Sequence, residues 1–302
     1  MKEQGTQIAD NKHVFTNAMV WPALLILLFT SLLPVIFIFV TGLTDMTLIT
    51  MNKGGTEWVG FKNFLKALGD KEFLLSIGVN LKFTLLAVLS ETVFGTLLAL
   101  FLHGSGKESP LLRTLFLFPM LCPPITVTLI WQTMFSNNYG ILNQMLEYIG
   151  LAPVNWLQDI NTAFYAVLWV DIWQYAPFVF LLVYVALCQM PKDLLEAASL
   201  DGANSWQKFF HVTLPYIAQP MGVVVLLRTI DTFRLFDKVN VLTKGGPYNS
   251  TRTITMYIYQ RGYDHMDIGV TSATSILMTV VVLLLAFPYI RSGMREMLSR
   301  KK

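Results

Sequence analysis

The sequence predicts an all-α integral membrane protein with six transmembrane helices. Of its 302 residues, 54% are hydrophobic and 14% charged, a balance too apolar for an ordinary soluble domain. Six windows each supply the roughly 20 mainly apolar residues that a helix needs to cross a hydrocarbon core about 30 Å thick. The polar segments between them are rich in Gly, Pro, Asn and Asp, the residues of turns.

The first window, 20–42, follows a tail at 1–19 and has the length of a retained span rather than of a cleaved signal. The second is 82–102. Before it, Phe61, Phe64, Leu65 and Leu68 in the segment 58–80 stand at helical spacing and predict a short surface helix. The third window, 114–135, contains Pro119, Pro123 and Pro124. Proline removes a backbone donor and breaks or kinks a helix, and in a membrane the freed carbonyls must face protein or water. This span is either a wall of a passage or a packing kink. A second surface helix is predicted near 141–149, and the fourth window is 163–188. The fifth is 221–242 and the sixth 268–290, before a basic tail at 291–302. The spans thus form one membrane domain, 20–290, with a polar loop at 189–217.

Lysine and arginine in the flanks set orientation. With the N-terminus inside, eleven basic residues fall on the inner side and seven on the outer, and the loop 137–161 has none. The bias places both termini and the loop 189–217 in the cytoplasm.

The fifth window carries Arg228, Asp231, Arg234, Asp237 and Lys238. One charge at a span centre costs about 2.5–3.5 kcal/mol and one large aliphatic returns about 0.3–0.6, so each charge cancels roughly seven aliphatics. Such a helix is not lipid-exposed all round. Two arrangements satisfy it: pairing within the helix, Arg228 with Asp231 and Arg234 with Asp237, or a face turned to a water-filled passage. In the fourth window Asp171, Gln174, Tyr175 and Phe178 share a face beside Trp173. An acid and an amide among aromatics suit the hydroxyl edges and apolar faces of a sugar, and equally a packed core around one satisfied acid. Glu91 is a lone acid in the second window, expected to partner a neighbouring helix. The substrate-pathway candidates are Asp171, Trp173, Tyr175, Arg228, Asp231 and Arg234.

Catalytic signatures are missing. "HGSGKES", 103–109, lacks the first glycine, the Ser/Thr after lysine and the preceding strand of a phosphate-binding loop. The four histidines are dispersed, and Cys122 and Cys188 lie in apolar runs, where they act as small hydrophobes. The chain is expected to bind no cofactor or metal and to act on no nucleic acid.

The polar loop reads "PKDLLEAASLDGANSWQKFFHVTLP", 191–215. Pro191 suits a first helical turn, Asp193 and Glu196 favour the positive N-terminal end, and Gly202 can end the helix in a left-handed conformation. Ser205 is then placed to cap a second helix. The first helix presents Leu194, Leu195, Ala197, Ala198 and Ser199, with Glu196 and Asp201 at its edge. Small side chains admit a close-packed surface, and the acids can meet its basic residues.

Glu196, Ala197, Ala198, Asp201, Gly202, Ala203, Phe209, Leu214 and Pro215 stand at the spacing of the EAA signature. The stretch resembles that of permease subunits of binding-protein-dependent ATP-binding-cassette (ABC) importers. "WVGFKNF", "LLRTLFLFP", "IWQTMFSNNYGILN" and "FDKVNVLTKGGP" resemble the carbohydrate branch of that family, of maltose and glycerol-phosphate type. The resemblance runs from about Trp21 onward. It implies a type I importer permease fold in the bacterial inner membrane, not an enzyme, with ATP and Mg used by a partner ATPase. Glu196 to Ser199, Asp201 and Gly202 would couple to that ATPase, present in two copies. A second six-helix permease chain, usually a different one, would complete the pore, and an external sugar-binding protein would dock near Gly245, Gly246 and Pro247. The sequence departs from the pattern at Val212, where isoleucine is usual, and in the charge of its fifth span. The competing readings are the same machine for another polar solute, and an ion-coupled transporter using Asp171 or Glu91 without a partner ATPase.

Overall fold

In the computed structural model the described residues are 2–104 and 110–299, with side chains described for 20–52, 54–104 and 110–291. The centre of "HGSGKES" and the basic residues Lys2, Lys12, Lys107, Arg295, Arg300, Lys301 and Lys302 lie outside these side chains. Among the described residues the fold is helical, with one isolated antiparallel bridge between Thr44 and Trp58. In order the helices are α1 (Lys2–Gly42), α2 (Leu48–Lys53), α3 (Lys62–Gly69), α4 (Lys71–Gly104), α5 (Pro110–Leu121), α6 (Pro124–Met134) and α7 (Ile141–Tyr148). They continue with α8 (Ala163–Cys188), α9 (Lys192–Leu200), α10 (Ser205–Lys208), α11 (Leu214–Phe233), α12 (Asp237–Leu242), α13 (Ile254–Tyr259) and α14 (Ile268–Ser299). A π-helical turn, Phe209–Thr213, joins α10 to α11 without a break. Five described helices are long and apolar enough to cross a membrane, or six when α5 and α6 count as one bent span.

Several spans depart from their apolar windows. The backbone of 2–19 is helical and continues into the first span as α1. The second span begins at Lys71 rather than near 82, because the amphipathic spacing before it runs on in helical register after the single residue Asp70. The third span is two helices meeting at 92°, with Pro123 as N-cap and Pro124 at the first position of α6. The carbonyl of Cys122, at this break, accepts from Nε2 of Gln174 on α8 at 3.1 Å. A neighbouring span thus satisfies a backbone group that lipid could not. The fifth span starts at Ser205 and ends at Phe233, short of the expected 242. Residues 234–236 break the helix, and α12 is a separate short element.

The chain forms two compact units, 1–69 with 261–277 and 70–260 with 278–302. In the first, Thr41 and Ser272 share a hydroxyl hydrogen bond at 2.8 Å, and Asn63 Nδ2 donates to the carbonyls of Gly42 and Thr44 at 3.0 and 2.7 Å. The two Asn63 bonds satisfy carbonyls at and just past the end of α1, which the helix leaves open. The expected surface helix is α3; Phe61, Leu65 and Leu68 are exposed while Asn63 and Ala67 are buried.

In the second unit α8 is the central element, packed on α4, α5 and α11. Gly95 on α4 allows the closest approach: a Cβ there would lie 2.6 Å from Val179 Cβ and 2.8 Å from the carbonyl oxygen of Ala176. Small residues at such a crossing let backbones come together, which is how membrane helices gain dispersion contact when lipid removes the hydrophobic incentive. One buried cluster gathers Phe83, Trp131, Phe135, Phe164 and Val239 near the α6 end of α8, and another gathers Leu102, Phe180, Leu187 and Ile217 towards its C-terminus. At 1.5 Å per residue the 26 residues of α8 span about 39 Å. The loop before α8 and the loop after it therefore open on opposite membrane faces.

Candidate functional site

Two sites assemble in the second unit, one within the spans and one on the loop after α8. Within the spans, Arg228 on α11 is buried. Its Nε meets Glu91 Oε2 at 2.7 Å and its Nη2 meets Glu91 Oε1 at 2.8 Å, a two-point contact with α4. The same Nη2 reaches Asp171 Oδ2 on α8 at 3.0 Å, and Nη1 pairs with Asp231 one turn on. Lys238, carried on α12, pairs with the other oxygen of Asp171. Both cations lie over the Tyr175 ring, at 4.0 Å for Arg228 and 4.3 Å for Lys238. Thr232 adds a 3.1 Å bond to the Thr84 hydroxyl. Every buried charge here has an opposite partner, the condition under which charges persist in a span.

The expected pairing is therefore half present. Arg228 and Asp231 pair, but Arg234 and Asp237 do not, because the helix ends between them and the one-turn spacing that would bring them together is lost. The partners of Arg228 come chiefly from two other spans. Tyr175, Arg228, Asp231 and Arg234 line one cleft of about 360 Å³, with Met120 and Phe178 among its other walls. Asp231 keeps 55% of its side chain exposed there. Asp171 is buried among the cations, and Trp173 faces elsewhere, packing edge-on against Trp131 at 5.6 Å. Lys238 was legible as a charge in the fifth window but not as a partner of Asp171, since its position depends on the helix break.

On the loop, α9 covers Lys192–Leu200 and buries no residue. Gly202 has φ +77°; Gly202 N–H donates to the Ser199 carbonyl at 3.1 Å and Ala203 N–H to that of Ala198 at 2.9 Å. This is a Schellman cap, and its left-handed position favours glycine. The next helix is capped by Asn204 rather than Ser205. Asn204 and Gln207 exchange side-chain and backbone bonds of 2.9 and 2.8 Å, a reciprocal capping box. Glu196 and Asp201 are exposed and make no ion pair among the described residues. Leu200 and Trp206 are 89% and 72% exposed, and Trp206 stacks on exposed Phe210 at 6.0 Å. Large apolar side chains thus stand exposed on an otherwise polar loop.

In the loop after α12, Gly245 is buried and Gly246 and Pro247 are half-buried. Gly245 has φ +87° and the Gly246–Pro247 peptide is cis. Tyr248, 91% exposed, is an outward side chain of this loop that a reading of the "GGP" turn alone passes over.

The family model described as "Binding-protein-dependent transport system inner membrane component" matches residues 91–298, more than half of the chain. The trehalose/maltose transport system permease protein MalF of Thermococcus litoralis is 37% identical over 276 residues, covering 91% of this chain and 92% of that one. The trehalose transport system permease protein SugA of Mycobacterium tuberculosis is 30% identical over 287 residues, covering 95% and 90%. A solved chain from a bacterial ABC transporter involved in import of the acidic polysaccharide alginate superposes with a TM-score of 0.80 at 23% identity, over 94% of this chain and 96% of that one. The architecture is thus that of a type I ABC importer permease, and the chain belongs to the family of inner-membrane components of binding-protein-dependent transport systems.

Proposed function

We propose that this chain forms half of the pore of an ATP-driven importer for a carbohydrate, working by alternating access. The observation that carries the reading is a mechanical one. The Gly202 turn leads into a helix that runs unbroken from Ser205 to Phe233, so a push on the exposed α9 loop arrives directly at Arg228 and the cleft beside it. A partner ATPase that binds Glu196 to Ser199, Asp201 and Gly202 would use ATP and Mg to move this helix. The paired charges then supply the two-state element that such a motion requires. The carbohydrate assignment rests on relatives named for trehalose and maltose transport. Membership of a binding-protein-dependent family tells against the ion-coupled alternative.

The remaining parts follow the same reading. A second six-helix chain completes the pore, two ATPase copies dock at the cytoplasmic face, and an external sugar-binding protein docks at the opposite face near Gly245 to Tyr248. Both termini are cytoplasmic. Tyr175, Asp231 and Arg234 offer the cleft one aromatic face, one acceptor and one donor group for sugar hydroxyls. The test is uptake of trehalose and maltose by the complete complex in proteoliposomes, measured with and without ATP and with and without the external binding protein. Uptake that needs neither ATP nor the binding protein would overturn the proposal.

A further inference from the structure

On the face opposite the α9 loop, the end of α6 and the segment before α8 enclose a concavity of about 650 Å³, within the range of roughly 300–1,000 Å³ usual for small-molecule sites. Its walls include Gln132, Asn137, Asn138, Tyr139, Asn155 and Gln158, and no charged side chain lines it. The frame is held firmly. Asn143 Oδ1 accepts from Val154 N–H at 3.0 Å and Trp156 Nε1 at 2.9 Å, and its Nδ2 donates to the Val154 carbonyl at 3.1 Å. Thr162 donates to the Asn155 carbonyl at 2.7 Å, and the Phe135 and Trp156 rings pack behind at 5.6 Å.

The groups that point into the space are held differently. Asn137 Nδ2 donates to Asn155 Oδ1 at 2.9 Å and Gln132 Nε2 donates to the Val241 carbonyl at 3.0 Å, so two amides are oriented while the Asn137 Oδ1 and Gln132 Oε1 acceptors stay open. The Asn138 and Gln158 amides and the Tyr139 hydroxyl have no partner among the described residues. An amide presents a donor and an acceptor side by side, the complement of a hydroxyl that does both. An anion finds no cation here and a metal ion no carboxylate.

The geometry points to a subsite for an uncharged saccharide at this outer concavity, separate from the charged cleft beside Arg228. The inference rests on the carbohydrate reading above and adds a place where the sugar sits on the outer face. Gln132 ties that place to α12, the helix whose Lys238 pairs with Asp171.

The test is saturation-transfer NMR on the complete importer in nanodiscs without the binding protein, with trehalose and maltose as probes and glucose 6-phosphate as charged control. Saturation transfer to the neutral disaccharides is expected, with none to the phosphate. The double variant Asn138→Ala/Gln158→Ala weakens it about tenfold or more, as loss of two hydrogen-bonding groups implies. No transfer to either disaccharide overturns the inference. So does transfer that the double variant leaves unchanged. ATP-driven uptake of the same two sugars by the complete importer in proteoliposomes, with the binding protein supplied, keeps the two claims apart: uptake without a variant-sensitive signal sinks the subsite alone, and absence of uptake sinks the carbohydrate reading.

Discussion

Arg228 and Glu91 are 137 residues apart in sequence and form a two-point ion pair between α11 and α4, with N–O distances of 2.7 and 2.8 Å. Breaking a buried pair by removing one partner strands the other charge and costs about 3–5 kcal/mol. Arg228→Ala and Glu91→Ala should therefore each lower the unfolding temperature of the detergent-solubilised protein sharply. Arg228→Lys should do less harm, since it keeps the charge and loses the fork. An unchanged melting curve for Arg228→Ala would show that the cluster does not hold the spans together.

A paired replacement separates stability from transport. Substituting apolar groups for a buried ion pair is often neutral or stabilising, so Arg228→Met/Glu91→Leu should recover most of the melting temperature lost by either single change. Asp171 keeps Lys238 as its partner in that variant. Uptake by the reconstituted complex should remain depressed, because Arg228 also lines the cleft. Full recovery of uptake along with stability would reduce the cluster to a packing device.

Much of this architecture is legible in the sequence, and what is not has a physical reason. The bounds 163–188 coincide with α8 because a mainly apolar run, broken only by Asp171 and Gln174, ends at both sides in polar residues. The break at Pro123 is legible because proline cannot donate. The end of the fifth span at Phe233 is not, since "FRLFDKVNVL" keeps its apolar content through the break and a hydropathy window does not sense backbone continuity. The same blindness hid the Lys238–Asp171 pair and suggested an Arg234–Asp237 pair that needs helix between its members. Helical spacing reports the faces of one helix and is silent about which face of another it meets, so Glu91 could be expected to pair without its partner being named. The cap at Asn204, expected at Ser205, could have been read, because Gln207 stands three residues on from Asn204, as a capping box requires.

Gly95→Ala tests the α4–α8 contact. The added Cβ would meet Val179 and the Ala176 carbonyl well inside van der Waals distance, and a backbone atom cannot turn aside. Overpacking of this kind costs about 1–3 kcal/mol. Thermal unfolding followed by tryptophan fluorescence should show the loss, and Gly95→Leu a greater one. Equal stability of wild type and Gly95→Leu would mean that the two helices do not approach so closely.

Gly202 separates conformation from contact on the α9 loop. A Cβ there meets nothing within 4 Å, so any penalty comes from its φ of +77°, a region that costs a residue with a side chain about 1–2 kcal/mol. Asparagine tolerates that region best among such residues. Gly202→Asn should accordingly retain more ATP-driven uptake than Gly202→Val, although the two side chains are similar in size. Equal loss in both variants would mean that the partner needs the bare backbone, and equal retention would remove the turn from coupling.

Glu196 carries the most direct test of a docking role. It is exposed, has no intramolecular ion pair among the described residues, and lies on a helix that buries none of its side chains. Exposed substitutions away from such contacts change stability by about 0.5 kcal/mol or less, so Glu196→Lys should leave the melting temperature of the isolated chain where it was. Against a basic cleft on a partner, the same change replaces an attraction with a repulsion, which costs far more when the contact is desolvated. Co-purification of the ATPase subunit should fall at least tenfold and fall further at low salt, where repulsion is less screened. A Glu196→Lys chain that melts normally and still recovers its ATPase in full would show that the acid of this loop is not what the ATPase recognises.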